Sequence, residues 1–380
     1  MFFLNLILLI LTKTSMKKKL VGCLLAAGLI GLSSCSQDET NAVNRSESIN
    51  FHPTLGASTR GAVTTLSNLS PFKVTAFKSS GGTNLFENAE VKQTGGKWEM
   101  TDPQTWPGND EVKFFAYAPA NLPAGASVYI NSGTQKIFSY VTPQKVSDQK
   151  DIVVAHNTGS RTTSASGVAL NFKHILSQIE VKAKCSDPTV TIKVQGVKVC
   201  QVKSAANFTF PTSPTTASGP LAGWDAPNAP ASFSARLSAP VTLTASEQNI
   251  TGTENFMLLP QTLTPWSGAA SPNGAYLAVL CQVTKNGTQI YPPASGKYGY
   301  SAVKIDSAWE AGKKYIYALN FCSPGGGAGK IDPIPTDPVN PTDPTIDPNP
   351  GTGGDPVLGN PITFTVTVED WTAGSTEIGM

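Results

Sequence analysis

The sequence predicts an all-β protein built as β-sandwich domains in tandem, followed by a proline-rich linker and one terminal strand. Three observations point there. Short runs rich in β-branched and aromatic residues recur at roughly 8–12-residue spacing, with Gly, Pro, Ser and Asn clusters between them. Apolar residues never keep a 3.6-residue period over a full helix length. The chain has 380 residues, of which only 14% are charged, with 34 glycines and 29 prolines. That length suits two globular domains plus tails.

The N-terminus reads as an export signal rather than as structure. Met16-Lys17-Lys18-Lys19 is a basic start, the run from Leu20 to Leu32 is apolar, and Leu32-Ser33-Ser34-Cys35 follows. This ending resembles a bacterial lipobox, so residues 1–34 are expected to be a lipoprotein signal peptide with Met16 as an alternative start. Cys35 is then the acylated residue, because buried methylenes contribute about 0.8 kcal/mol each and several acyl chains anchor a protein. A transmembrane helix fits less well, since the run is short and rich in small residues. Ser36-Gln37-Asp38-Glu39 resembles the acidic tether of outer-membrane surface lipoproteins, and residues 35–48 are expected to be that tether. Loss of residues 1–34 removes four lysines and no acid, so a formal charge of +2 becomes −2. Neither a basic patch nor interleaved aromatics suggest a nucleic-acid partner.

The strands follow in order. Ile49-Asn50-Phe51-His52 is the first, and Arg60 lies shortly after it, one of four arginines with Arg45, Arg161 and Arg236. An arginine in an exposed inter-strand loop is a protease site. Phe72–Phe77, Glu90–Lys92, Lys97–Met100, Val112–Tyr117, Val128–Ile130, Ile137–Val141 and Asp151–Ala155 continue the series to a first domain of residues 49–178. A second domain, residues 179–322, opens with Ile179–Ala183 and an expected hairpin of Thr191–Val194 and Val197–Cys200 turning at Gln195-Gly196. Strands at 239–243, 256–260, 276–281 and 315–321 complete it.

At Ser323 the composition changes to glycines and then to Asp-Pro repeats, making residues 323–358 a linker. Proline-rich chain extends at ~3.1 Å per residue, so reach is its expected purpose. Residues 359–380 carry the last strand, in which Ile362, Phe364, Val366 and Val368 share one face, threonines the other, and Trp371 follows. Such a strand is not stable alone and needs a sheet, in its own chain or on another molecule. Burying the four apolar residues contributes roughly 6–12 kcal/mol at ~1.5–3 kcal/mol each, against ~1–2 kcal/mol per residue for ordering.

Cys185, Cys200, Cys281 and Cys322 remain in the exported chain, with three possible pairings. No CxxC and only three histidines leave no metal site and no cofactor to expect. Asp148, Asp151, His156 and His174 are the one cluster that invites an enzymatic reading, and no catalytic motif supports it. Trp106, Trp224 and Trp266 in Pro/Gly-rich loops read either as sugar-stacking platforms or as core-rim residues.

Taken together, Ile49-Asn50-Phe51 with Thr59-Arg60, Lys97-Trp98 with Thr105-Trp106-Pro107, Val112–Pro119, Asp151–Ala155, Leu170–Ile179, Met257–Gln261 and Trp309–Tyr315 resemble the fimbrillin family, the lipoprotein-derived subunits of type V pili. The resemblance implies two transthyretin-like Greek-key β-sandwich domains and a cell-surface pilus subunit. It also implies assembly by donor-strand exchange after Arg-specific cleavage at Arg60, or at Arg45. Its partners would be other pilus subunits, with the outer membrane reached through the lipid anchor. The alternative is a monomeric surface lipoprotein that binds a host glycan or protein through its loops.

Overall fold

The computed structural model describes residues 48–55, 64–216, 219, 221–267, 273–322, 329–330, 343–348, 350–351, 357–358 and 362–370. The expected signal peptide, Cys35, Arg45, Arg60 and Trp371 lie outside them. Strand is the dominant regular structure of the described residues. The first nine strands are β1 Phe51–Leu55, β2 Phe72–Lys78, β3 Asn84–Thr94, β4 Lys97–Met100, β5 Val112–Ala118, β6 Ser127–Ile130, β7 Gln135–Val141, β8 Val153–Gly159 and β9 Val168–His174. Then come β10 Ser177–Lys184, β11 Val190–Thr209, β12 Asn228–Thr242, β13 Gln248–Asn249, β14 Phe256–Leu258 and β15 Tyr276–Lys285. Last are β16 Thr288–Tyr291, β17 Gly299–Lys304, β18 Lys313–Asn320, β19 Gly329–Lys330 and β20 Thr363–Asp370.

Seven strands close into a barrel in the order β1-β4-β3-β2-β5-β8-β9. Alternation explains its filling: Phe72 and Val74 on β2, Val112, Phe114 and Ala116 on β5, and Val168, Leu170 and Phe172 on β9 all point into one core. The remaining strands form two sheets, one ordered β13-β10-β18-β20 and one ordered β19-β17-β15-β11-β7-β6. Ile179 and Val181 from the first meet Val197, Val199, Leu277 and Val279 from the second in the largest core cluster. The hairpin β6–β7 precedes residue 178 in sequence, yet β7 hydrogen-bonds to β11 in the longer sheet. Phe115 and Tyr117 of the barrel share a further cluster with Tyr140 and Phe208.

One local expectation changes. The sequence Thr191–Cys200 is not a hairpin but part of one long central strand, β11, flanked by β12 and β15. Gly196 is needed for closeness rather than for a turn, because a Cβ there would lie 2.5 Å from the Ala235 carbonyl oxygen. The register shifts beside it and again between Val199 and Val202, where Gln201 takes a φ of 58°, mark β-bulges. The run Leu170–Val181 is two strands, β9 and β10, interrupted at Ile175-Leu176.

β10 and β18 run parallel from Gln178↔Lys314 to Lys184↔Asn320, which brings their C-terminal ends side by side. Cys185 and Cys322 stand just beyond those ends and form a disulfide, with Cα atoms 4.8 Å apart. Cys200 and Cys281 are free and buried, their thiols pushed up to about 11 and about 12 by burial.

Candidate assembly site

Two strands far apart in sequence, β1 and β20, are held chiefly from one side. The first is β1. It pairs in parallel with β9 over five positions, Phe51↔Val168 to Leu55↔Phe172, but meets β4 only at Phe51↔Trp98. Pro53 has no N–H to give, which suits a strand held chiefly from one side. The apolar residues nevertheless go deep. Phe51 is 2% exposed, its ring 6.3 Å from Phe72 and 5.9 Å from Phe114 in edge-to-face contacts. Ile49 is equally buried and donates its N–H to the Gln104 carbonyl at 2.8 Å. Removing residues 49–55 would open a groove between β4 and β9 lined by Phe72, Trp98, Phe114 and Phe172.

The described chain resumes at Thr64, which is firmly held. Its N–H donates to Asp151 Oδ2 at 2.8 Å and its hydroxyl to the Asp151 carbonyl oxygen at 3.2 Å. The same Oδ2 lies 2.8 Å from His174 Nδ1, and both side chains are buried. Asp151 and His174 therefore serve as an anchor. The other two members of the sequence cluster stand apart: His156 stacks on Phe115 at 4.1 Å, and Asp148 is exposed on a short 3₁₀ turn. Among the described residues no group of three His, Cys, Asp or Glu is placed to hold a metal.

The second element is β20. It pairs antiparallel with β18 over eight positions, Lys313↔Asp370 to Asn320↔Thr363, and is the last strand of its sheet. Its alternation is followed only in part. Ile362 is buried, Phe364 and Val366 are half-buried against the core, and Val368 is 53% exposed. Phe364 contacts the Tyr317 ring at 6.0 Å, and Lys313 pairs with Asp370, which raises the Lys313 ammonium pKa above its ordinary value. Val357 and Leu358 pack on the same core just before the strand. The strand thus lies on its own chain here, with less apolar burial than the pattern allows.

Sequence reasoning missed the path to it. Reach was expected of the linker, yet Asp343–Asp347 lies against β17 and the loop before it, with the Tyr298 N–H donating to the Thr345 carbonyl at 2.8 Å and the Asp347 N–H to the Tyr298 carbonyl at 2.9 Å. Of the two readings of the tryptophans, the structure supports the core-rim one. Trp106 is 7% and Trp266 4% exposed, both within core clusters. Trp224 is half-buried and donates its ring N–H to the Ile175 carbonyl at 2.5 Å, so none of the three is an open sugar platform. One polar cavity of about 240 Å³ lies between Lys145–Ser147, Ser234, Arg236 and Thr251–Glu254.

A family model described as fimbrillin-like matches residues 59–334. No curated protein matches the sequence. Among solved structures, a fimbrial protein from Bacteroides vulgatus superposes with a TM-score of 0.52 at 15% identity, covering 86% of this chain and 100% of that one. At that identity the likeness is one of fold. A putative cell adhesion protein from Bacteroides ovatus matches at 16% identity and a TM-score of 0.44, over 87% of this chain and 99% of that one. Another from Bacteroides uniformis matches at 15% identity and 0.44, over 86% and 98%.

Proposed function

The chain belongs to the fimbrillin-like family, and on that premise we propose that it is a structural or adhesive subunit of a cell-surface pilus. It is exported as a lipoprotein acylated at Cys35, carried to the outer membrane, and polymerised by donor-strand exchange. Arg-specific cleavage after Arg60, or after Arg45, starts the exchange. A cut at Arg60 releases β1 and empties its groove. The terminal strand of another subunit, carrying Ile362, Phe364, Val366, Val368 and Trp371, fills it. The role is structural rather than catalytic.

The observation that carries this reading is the mismatch in how β1 is held. Phe51 and Pro53 are buried and Leu55 is half-buried, while the strand's backbone meets β4 at a single position. Such a strand leaves an apolar groove with free backbone groups when it goes, which is the substrate for strand addition. Thr64, fixed by Asp151, keeps the downstream chain seated after the cut. β20 in turn is a strand with apolar surface still to bury.

Substituting Arg60→Ala tests the reading in the presence of the Arg-specific protease. Processing and polymer ladders should be lost, with Arg45→Ala as the companion variant. Unchanged ladders with both arginines replaced would remove cleavage from the account. Deleting residues 359–380 should leave a folded monomer that cannot donate a strand.

A further inference from the structure

The Asp343–Asp347 segment is bound as a peptide ligand would be. Asp343 makes its own turn, its Oδ1 accepting from the Thr345 N–H at 2.9 Å and the Thr345 hydroxyl at 2.6 Å. Its Oδ2 accepts from Arg236 Nη2 on β12, and the Lys297 ammonium donates to the Pro344 carbonyl. Thr345 and Asp347 add the two backbone bonds to Tyr298, forming a parallel bridge at Ile346. Ile346 packs against the cluster of Trp266, Tyr276 and Tyr300. Asp347, 4% exposed, accepts from the Ala294 N–H at 3.0 Å. The surface reads a carboxylate at the first position, backbone carbonyls at the second and third, an aliphatic side chain at the fourth and a carboxylate at the fifth, while the Thr345 hydroxyl closes the segment's own turn onto Asp343. The other Asp-Pro repeats do not match, since Asp337 is followed by Val339, Asn340 and Pro341 where Thr345, Ile346 and Asp347 stand.

We propose that the surface formed by Ala294, Lys297, Tyr298 and Arg236 is a docking groove for an acidic Asp-Pro-Thr-Ile-Asp peptide, that its resident ligand is this chain's own linker, and that its occupancy holds β20 on β18 before assembly. The last clause rests on the reading of β20 as the donor strand. The reason is chain length. Without the clip, the stretch between fixed points runs from Lys330, held on β17 through β19, to Val357, residues 331–356; with it, the stretch shrinks to residues 348–356. Loop closure scales as the 3/2 power of length, so docking raises the local concentration of the strand about fivefold. The charges suit the task, because Arg236 and Lys297 both meet this acidic segment.

The test is hydrogen exchange on the full chain. Ile346→Asp removes the apolar anchor, and Asp343→Ala removes the turn and the Arg236 contact while leaving Ile346 in place. Both variants should free the Tyr298 and Asp347 amides and lower protection of the β20 amides about fivefold, with β11 and β15 unchanged. If Ile346→Asp also loosens β11 and β15, Asp343→Ala alone decides. A freed clip with β20 protection unchanged overturns the proposal. Failure of the donor-strand reading would look different: β20 protection would fall as expected, yet the variants and the wild type alike would form no polymer.

Discussion

Phe51→Ala probes the groove on which assembly depends. The ring is 2% exposed and sits edge-on to Phe72 and Phe114. Truncating a buried phenylalanine costs about 3–5 kcal/mol in lost transfer energy and cavity formation. Each aromatic pair contributes about 0.5–1.5 kcal/mol of that beyond area alone, so the upper half of the range is expected. Because β1 meets β4 at one position only, the cavity should be relieved by release of the whole strand. Urea unfolding of the unprocessed chain should show the midpoint falling by the equivalent of about 4 kcal/mol. An Arg-specific protease should then cut the variant faster than wild type. A loss below about 1 kcal/mol would mean that Phe51 does not fill the barrel, and the groove argument would fall with it.

Further outcomes follow from the same geometry. Cys322→Ser opens a 137-residue link and should cost about 2–5 kcal/mol of stability, read by the same unfolding curve. Cys200 and Cys281, buried with raised thiol pKa values, should resist a thiol reagent in the native chain and react only on unfolding. Burial lowers the His156 pKa below its ordinary value, so the unfolded chain binds the proton more tightly. Stability should be fully present above about pH 6.5 and decline below it, and His156→Gln should flatten that slope. For Asp343 burial raises the pKa, but Thr345 and Arg236 outweigh it, and the carboxyl is held below its ordinary value. The clip should therefore persist above about pH 4 and weaken as the pH falls further, seen as faster exchange at the Asp347 amide.

Most strands were legible because alternation is local: Phe72–Phe77, Val112–Tyr117 and Ile362–Val368 each announce a face without reference to the rest of the chain. What lay beyond reach was pairing. Gly196 looked like a turn because glycine serves both turns and close backbone approaches, and only the presence of β12 and β15 on either side decides between them. The Cys185–Cys322 link depends on a parallel register between strands more than a hundred residues apart. Composition also concealed the docked linker. Proline and aspartate usually signal solvated chain, and only the partners Arg236, Lys297 and Tyr298 turn Asp343–Asp347 into a bound peptide. For the tryptophans the sequence offered both readings, a Pro/Gly-rich surface and a core rim, and the burial of Trp106 and Trp266 agrees with the second.

The central claim is that one subunit's terminal strand occupies the groove left by another's β1. Placing a photo-crosslinking phenylalanine analogue at Phe364 and mapping its products by mass spectrometry, before and after Arg-specific processing, tests this directly. Before processing, the crosslink should join β20 to Tyr317 on its own chain, 6.0 Å away in the monomer. After processing, it should move to a neighbouring subunit, on β4 or β9 around Trp98 and Leu170. Crosslinks that remain within one chain while polymers form would contradict the account.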